Sequence, residues 1–94
     1  MVNAFVLVSV ERGQVNPVAE KLAALDGVTE VYSVAGNFDL LAVVRAADND
    51  ALADIITGRM LQVEGIARSQ TLIACRVFSR YDLEHLFSIG MEER

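Results

Sequence analysis

The stretch VTEVYSVAGNFDLLAVVR, residues 28–45, decides the fold. Two apolar runs, Val28 to Val34 and Phe38 to Arg45, flank a single break at Gly36-Asn37. Glycine adopts positive φ angles freely and asparagine tolerates them, so the break predicts a tight chain reversal between two strands. Asp39 follows at a strand end, where its carboxylate and the free amides of the turn could contact a small zwitterion. The same residues also allow a plain hairpin turn with a solvated Asp39.

A strand and a helix precede this hairpin. Asn3 to Val10 is extended and rich in β-branched residues, whereas Gln14 to Leu25 carries apolar residues at helical spacing. Asn16 suits the N-cap and Pro17 the first helical position, where a missing N–H costs nothing. Gly27 provides the stop after the helix.

A second helix and a last strand follow the hairpin. The sequence predicts a helix that starts from a cap at Asp48 or Asn49 and continues to about Leu61. A strand is expected over residues 66–78 and a short terminal helix over residues 81–87. The resulting order, β-α-β-β-α-β, predicts a ferredoxin-like α+β sandwich: a four-stranded antiparallel sheet with both helices on one face, plus the short C-terminal helix. We divide the chain into a domain at residues 1–78 and a helical tail at residues 79–94.

Right-handed crossovers place strands one and three in the centre of this sheet and strands two and four at its edges. Both faces of the central strands are apolar: Ala4, Val6, Val8 and Val10 against Phe5 and Leu7, and Phe38, Leu40, Ala42 and Val44 against Leu41 and Val43. Because helices cover only one face, the other face needs a cover. We expect a second copy to supply it, sheet against sheet. The alternative is that the tail folds over the sheet through Leu83, Leu86 and Phe87.

The composition favours an oligomer and disfavours several classes of partner. Hydrophobic residues make up 53% of the 94 residues, which is high for so small a core. The net charge is −5 and the basic residues are scattered singly, so direct nucleic-acid binding is disfavoured. No apolar run is long enough to cross a membrane. The lone Cys75 is expected to be buried as a small apolar side chain, and we expect a cytoplasmic protein.

The residues give little support for catalysis. His85 is the sole histidine, and no spacing of Cys, His or carboxylates resembles a metal site, so we assign no catalytic residue, metal or cofactor. Ser69 and Thr71 are two residues apart and share one face of the last strand, where their hydroxyls could contact a ligand. Both are also ordinary residues for a strand.

Four segments together resemble the effector domain of the Lrp/AsnC family of transcription regulators. They are residues 4–8, residues 27–32, Val34-Ala35-Gly36-Asn37-Phe38-Asp39-Leu40, and Gly65-Ile66-Ala67-Arg68-Ser69-Gln70-Thr71-Leu72. The resemblance covers residues 3–78. Its most specific element is the Gly-x-x-Asp turn combined with the Gly-Ile-x-x-x-x-Thr entry to the last strand.

The resemblance implies a homodimer of face-to-face sheets, often assembled further into a tetramer of dimers, with amino acids bound where dimers meet. The ligand-contacting residues that it implies are Gly36, Asn37, Phe38 and Asp39 in the turn, and Ser69 and Thr71 in the last strand. Members of the family usually carry an amino-terminal helix-turn-helix domain, whereas this sequence starts at the first sheet strand. We therefore expect a stand-alone effector domain, which senses amino acids or co-assembles with full-length regulators.

The sequence leaves three other functions open. A small cofactor-free oxygenase could share the dimeric ferredoxin-like fold, but its site would need polar side chains inside each sandwich, where this sequence places apolar ones. A ligand-independent assembly partner would need only the sheet surface. A third possibility is a related metabolite-binding module, the ACT domain. It has the same strand order but pairs its sheets side by side.

Overall fold

The structure is a computed structural model that describes residues 1–80. The predicted terminal helix and His85 lie outside the described residues. The elements are β1 (Val2–Val10), α1 (Val15–Ala23), β2 (Val28–Ser33), β3 (Leu40–Ala46), α2 (Asn49–Ile56), a 3₁₀ turn (Met60–Gln62) and β4 (Ile66–Ile73). No helix in this part of the chain is long and apolar enough to span a bilayer.

The four strands form one antiparallel sheet in the order β2-β3-β1-β4. The central strands are therefore β1 and β3, as predicted from the crossover rule. In the registers, Val6 of β1 lies opposite Ala42 of β3 on one side and Thr71 of β4 on the other. The ferredoxin-like arrangement predicted from the sequence is confirmed.

One core lies between the sheet and the two helices. It comprises Ala4, Val6, Val8, Val18, Leu22, Val28, Leu40, Ala42, Val44, Ala46, Leu52, Ile55, Ile56 and Met60. The buried residues alternate along β1 and β3, so a single face of the central strands packs against both helices. None of the buried side chains in residues 1–80 is polar or charged. The layer between the sheet and the helices is thus an apolar packing layer.

The opposite side of the sheet, which we call the outer face, is also apolar. It carries Phe5, Leu7, Leu41, Val43, Tyr32 and Leu72. Phe5 is 37% exposed, Leu72 46% and Tyr32 49%, so large apolar side chains on this face contact water in the single chain. The predicted two-sided apolar sheet is therefore present.

The start of α1 differs from the prediction. The helix begins at Val15 with Gln14 at the N-cap and without a capping side chain, so Asn16 is not the cap and Pro17 is the third helical residue. A turn in which the Gln14 amide donates to the Glu11 carbonyl (3.0 Å) starts the helix early. Proline is tolerated there because first-turn amides have no partner within the helix.

The second helix is capped as predicted but is shorter. The Asp48 side chain accepts a hydrogen bond from the Ala51 amide (2.8 Å), and α2 ends at Ile56 instead of about Leu61. After Gly58, a poor helix former, the chain turns into the 3₁₀ segment. The tighter winding still buries Met60 completely.

The last strand ends at Ile73, five residues before the predicted end at Phe78. Its partner β1 begins at Val2, so after the bond from the Ala74 amide to the Asn3 carbonyl (2.9 Å) no partner strand remains among the described residues. Cys75 consequently lies beyond the sheet and is exposed, and the expectation that it is buried was wrong.

Candidate functional site

The connection between β2 and β3 is a six-residue loop, residues 34–39, and not the predicted two-residue reversal. Gly36 has a φ of +146°, whereas Asn37 does not take a positive φ. Phe38 and Asp39 lie in the loop because β3 starts only at Leu40. The predicted hairpin is present, but β2 ends at Ser33 instead of Val34, and β3 begins at Leu40 instead of Phe38.

Asp39 fixes this loop to the sheet. Its carboxylate Oδ2 accepts a hydrogen bond from the Val10 amide at the end of β1 (2.9 Å). Its own amide donates to the Val8 carbonyl, and its carbonyl accepts from the Val34 amide, both at 2.9 Å. Asp39 was predicted as a ligand contact, which stays a prediction, and the structure gives it a bracing role. Its Oδ1 accepts no hydrogen bond from residues 1–80.

The tip of the loop is exposed. Ala35, Gly36 and Asn37 are open to solvent, and Phe38 is half-buried. The amides of Gly36, Asn37 and Phe38 donate to no group within the described residues. A braced base with unpaired amides at its tip offers hydrogen-bond donors to a small molecule without first having to order the chain.

Arg68 is a member of this site that sequence reasoning missed. Its Nη2 donates to the Asn37 carbonyl (3.0 Å) and, over a longer 3.4 Å, to the Ser9 hydroxyl. Its guanidinium carbon lies 4.7 Å from the centroid of the Phe38 ring. Ser9 and Arg68 are paired across β1 and β4, and the register shifts immediately beyond them. The pairing of the strands could have suggested Arg68, but the register shift has no sequence signal.

Ser69 and Thr71 lie elsewhere in the single chain. They are paired with Val8 and Val6, so they share the helix-facing side of β4, whereas Arg68 is on the outer side. Ser69 is half-buried. Thr71 lines a groove of about 380 Å³ with Leu52 and Ile56 of α2. The structure therefore brings the loop together with Arg68, but not with the two hydroxyl residues of the same chain.

A family model, the Lrp/AsnC ligand binding domain, matches residues 3–83 of the sequence. The chain belongs to the Lrp/AsnC family. This confirms the resemblance drawn from the Gly-x-x-Asp loop and the entry to β4. The Lrp/AsnC domain has a second cleft, of about 240 Å³, at the other end of β3, lined in part by Asp26, Asp54 and Arg59. Within residues 1–80 it has no cluster of His, Cys, Asp or Glu side chains that could hold a metal ion.

Several relatives of this Lrp/AsnC domain are named as transcriptional regulators. LrpA1 of Halobacterium salinarum is 40% identical over 63 residues, which are 67% of this chain and 44% of the relative. The chain spans less than half the length of the curated relatives that it matches.

Solved structures show the same fold. TTHA0845 from Thermus thermophilus superposes with a TM-score of 0.80 at 42% identity, over 85% of this chain and 100% of that one. A feast or famine regulatory protein from M. tuberculosis, complexed with L-methionine, gives a TM-score of 0.71 at 26% identity, over 84% of this chain and 53% of that one.

Proposed function

We propose that this domain binds a free amino acid at the Gly36–Asp39 loop, carries out no enzymatic reaction, and works as a homo-oligomer. The observation that carries the proposal is the braced loop with a free tip. Three hydrogen bonds hold Asp39 to β1 and to Val34, while the amides of Gly36, Asn37 and Phe38 remain available. A ligand that binds there finds its donors already placed.

The polar groups around the loop suit a zwitterion. The unpaired Oδ1 of Asp39 suits an ammonium group, and the amides at the tip suit a carboxylate. A related regulator in complex with L-methionine makes that amino acid the first ligand to test. Ser69 and Thr71 face the other side of β4, so we propose that they contact ligand only where a second subunit brings its own β4 to the loop.

Homodimerisation through the outer face is the second part of the proposal. Phe5, Tyr32 and Leu72 are between 37% and 49% exposed in the single chain, and burying such side chains favours association. Mixed assembly with full-length regulators would use the same outer face, whereas further assembly of dimers would use other contacts, because the dimer buries the outer face. A ligand that bridges subunits then shifts the balance between assembly states by its difference in affinity.

An enzymatic function has less support. The buried side chains of residues 1–80 are all apolar, so the core between the sheet and the helices contains no buried group for acid–base or nucleophilic chemistry. The relatives are named as transcriptional regulators, which favours a sensing role. The outer face alone would also support an assembly partner that needs no ligand. A ligand-binding experiment distinguishes the amino-acid sensor from the assembly partner that needs no ligand.

Calorimetry with the twenty amino acids tests the proposal, starting with L-methionine. We expect binding of at least one amino acid at millimolar concentrations or below. Asp39→Asn should weaken it, because the amide loses the charge while keeping an acceptor for the Val10 amide. Asp26→Asn, which removes a charge at the far cleft, is the matched control. Absence of binding by all twenty would refute the sensing role, and equal affinity of wild type and Asp39→Asn would remove Asp39 from the site.

A further inference from the structure

Arg68 lies across the loop in a fixed position, although its side chain is exposed. The ring of Phe38 supports one face of the guanidinium, and the Asn37 carbonyl holds Nη2 at 3.0 Å. Stacking of this kind restricts a long side chain that would otherwise sample many rotamers. The guanidinium is therefore held beside the loop tip before any ligand arrives.

The contacts of Arg68 are all with neutral groups. They are the Asn37 carbonyl, the Ser9 hydroxyl and the Phe38 ring, and no carboxylate in residues 1–80 forms an ion pair with it. Asp39, the one acidic residue of the loop, directs Oδ2 to the Val10 amide. A positive charge without a counter-charge, in a chain of net charge −5, is available to an anionic ligand.

The hydrogen-bonding capacity of Arg68 is also incomplete. A guanidinium has five N–H donors, and only Nη2 has acceptors here, so Nη1 and Nε have none among the described residues. The contact with Ser9 is long, and a carboxylate oxygen could replace it at little cost. Nη1 and Nη2 would then form the two-pronged contact that arginine makes with carboxylates.

We propose that Arg68 is the carboxylate anchor of the loop site, binding the α-carboxylate of an amino acid together with the amides of Gly36, Asn37 and Phe38. This inference rests on the proposed function and adds a residue to it. The roles divide by charge: Arg68 and the amides take the carboxylate, and Asp39 takes the ammonium group. Since Arg68 lies on the outer side of β4, a bound ligand would contact the end of the outer face.

The test uses two ligands that differ in one group. L-methionine has a carboxylate, whereas L-methioninol keeps the ammonium group and side chain but has an alcohol instead. We expect Arg68→Gln to weaken L-methionine binding by about 10- to 100-fold, the range for losing a charged hydrogen-bonding partner, and to leave L-methioninol binding nearly unchanged. Arg68→Lys, which keeps the charge but not the fork, should fall between wild type and Arg68→Gln.

Arg59→Gln is the matched control, because it removes the same charge at the far cleft. It should alter neither affinity. Equal losses of both ligands in Arg68→Gln would show that the arginine only supports the loop, and would overturn the anchor role. The anchor role would also be wrong if Arg68→Gln bound L-methionine as well as Arg59→Gln does.

A carboxylate without an amino group separates this inference from the proposed function. In ¹⁵N-labelled protein, titration with sodium propionate should shift the Arg68 Nε–H signal and the amide signals of Gly36, Asn37 and Phe38. Such shifts would support the anchor even if no amino acid bound, in which case only the sensing role would fail. No shift of the Arg68 signal with either propionate or L-methionine at millimolar concentrations would overturn the anchor.

Discussion

At the scale of single residues, Asp39 joins the end of β1 to the loop before β3 through one side-chain hydrogen bond to the Val10 amide. Asp39→Ala leaves that half-buried amide without a partner, so we expect the free energy of unfolding to fall by about 1–3 kcal/mol. Asp39→Asn keeps an acceptor and should cost less. Urea unfolding of both variants measures the difference. If Asp39→Ala is as stable as wild type, the bracing role is wrong.

Two glycines with positive φ differ in what surrounds them. Gly36 has a φ of +146° in open space, whereas at Gly27, with a φ of +93°, an added methyl group would meet the buried Ile55 side chain. Gly36→Ala should therefore cost only backbone strain, about 1–3 kcal/mol. Gly27→Ala should cost a further 1–3 kcal/mol or so, from overpacking. Thermal and urea unfolding of the pair would test this order, and equal losses would contradict it.

At the scale of elements, the two helices begin in different ways. Asp48 caps α2 with its side chain, whereas Asn16 lies at the second position of α1 and caps nothing. We expect Asp48→Ala to lower the free energy of unfolding by about 1 kcal/mol. Asn16→Ala should be neutral or slightly stabilising, because alanine is the better helix former. The reverse order in urea unfolding would restore Asn16 as the cap.

The elements that the sequence predicts well are those with a strong apolar pattern. The apolar runs of β1 and β3 and the helical spacing of Gln14 to Leu25 predicted these elements, and the structure packs their apolar residues into one core. The ends of elements were predicted less well because contacts distant in sequence set them. The bond from the Val34 amide to the Asp39 carbonyl closes the loop, and β4 ends where its partner β1 begins.

The candidate site, like the fold, could be predicted from the sequence only in part. The Gly36–Asp39 loop was visible in the sequence, since glycine and asparagine mark a chain reversal between two strands. Arg68 was not, because its contact with Asn37 joins residues 31 positions apart and depends on the pairing of β1 with β4. Ser69 and Thr71 were grouped with the loop because they share one face of the last strand and because the family resemblance implies that both contact ligand. Their place in a ligand site stays a prediction about the assembled protein.

At the scale of the whole molecule, the outer face predicts the behaviour of the protein at dilution. Leu41 lies on this face between Leu7 of β1 and Tyr32 of β2, so Leu41→Glu would place a carboxylate among apolar side chains in the proposed dimer. We expect the dimer to dissociate at concentrations on the order of 100-fold higher than wild type, because an unpaired charge is costly to bury. Sedimentation at several concentrations measures the shift. Ala23→Glu, on the exposed side of α1, adds the same charge away from the sheet and should leave the dimer intact. A wild-type protein that is monomeric at micromolar concentration, or a Leu41→Glu variant that dimerises like Ala23→Glu, would show that the outer face is not the interface.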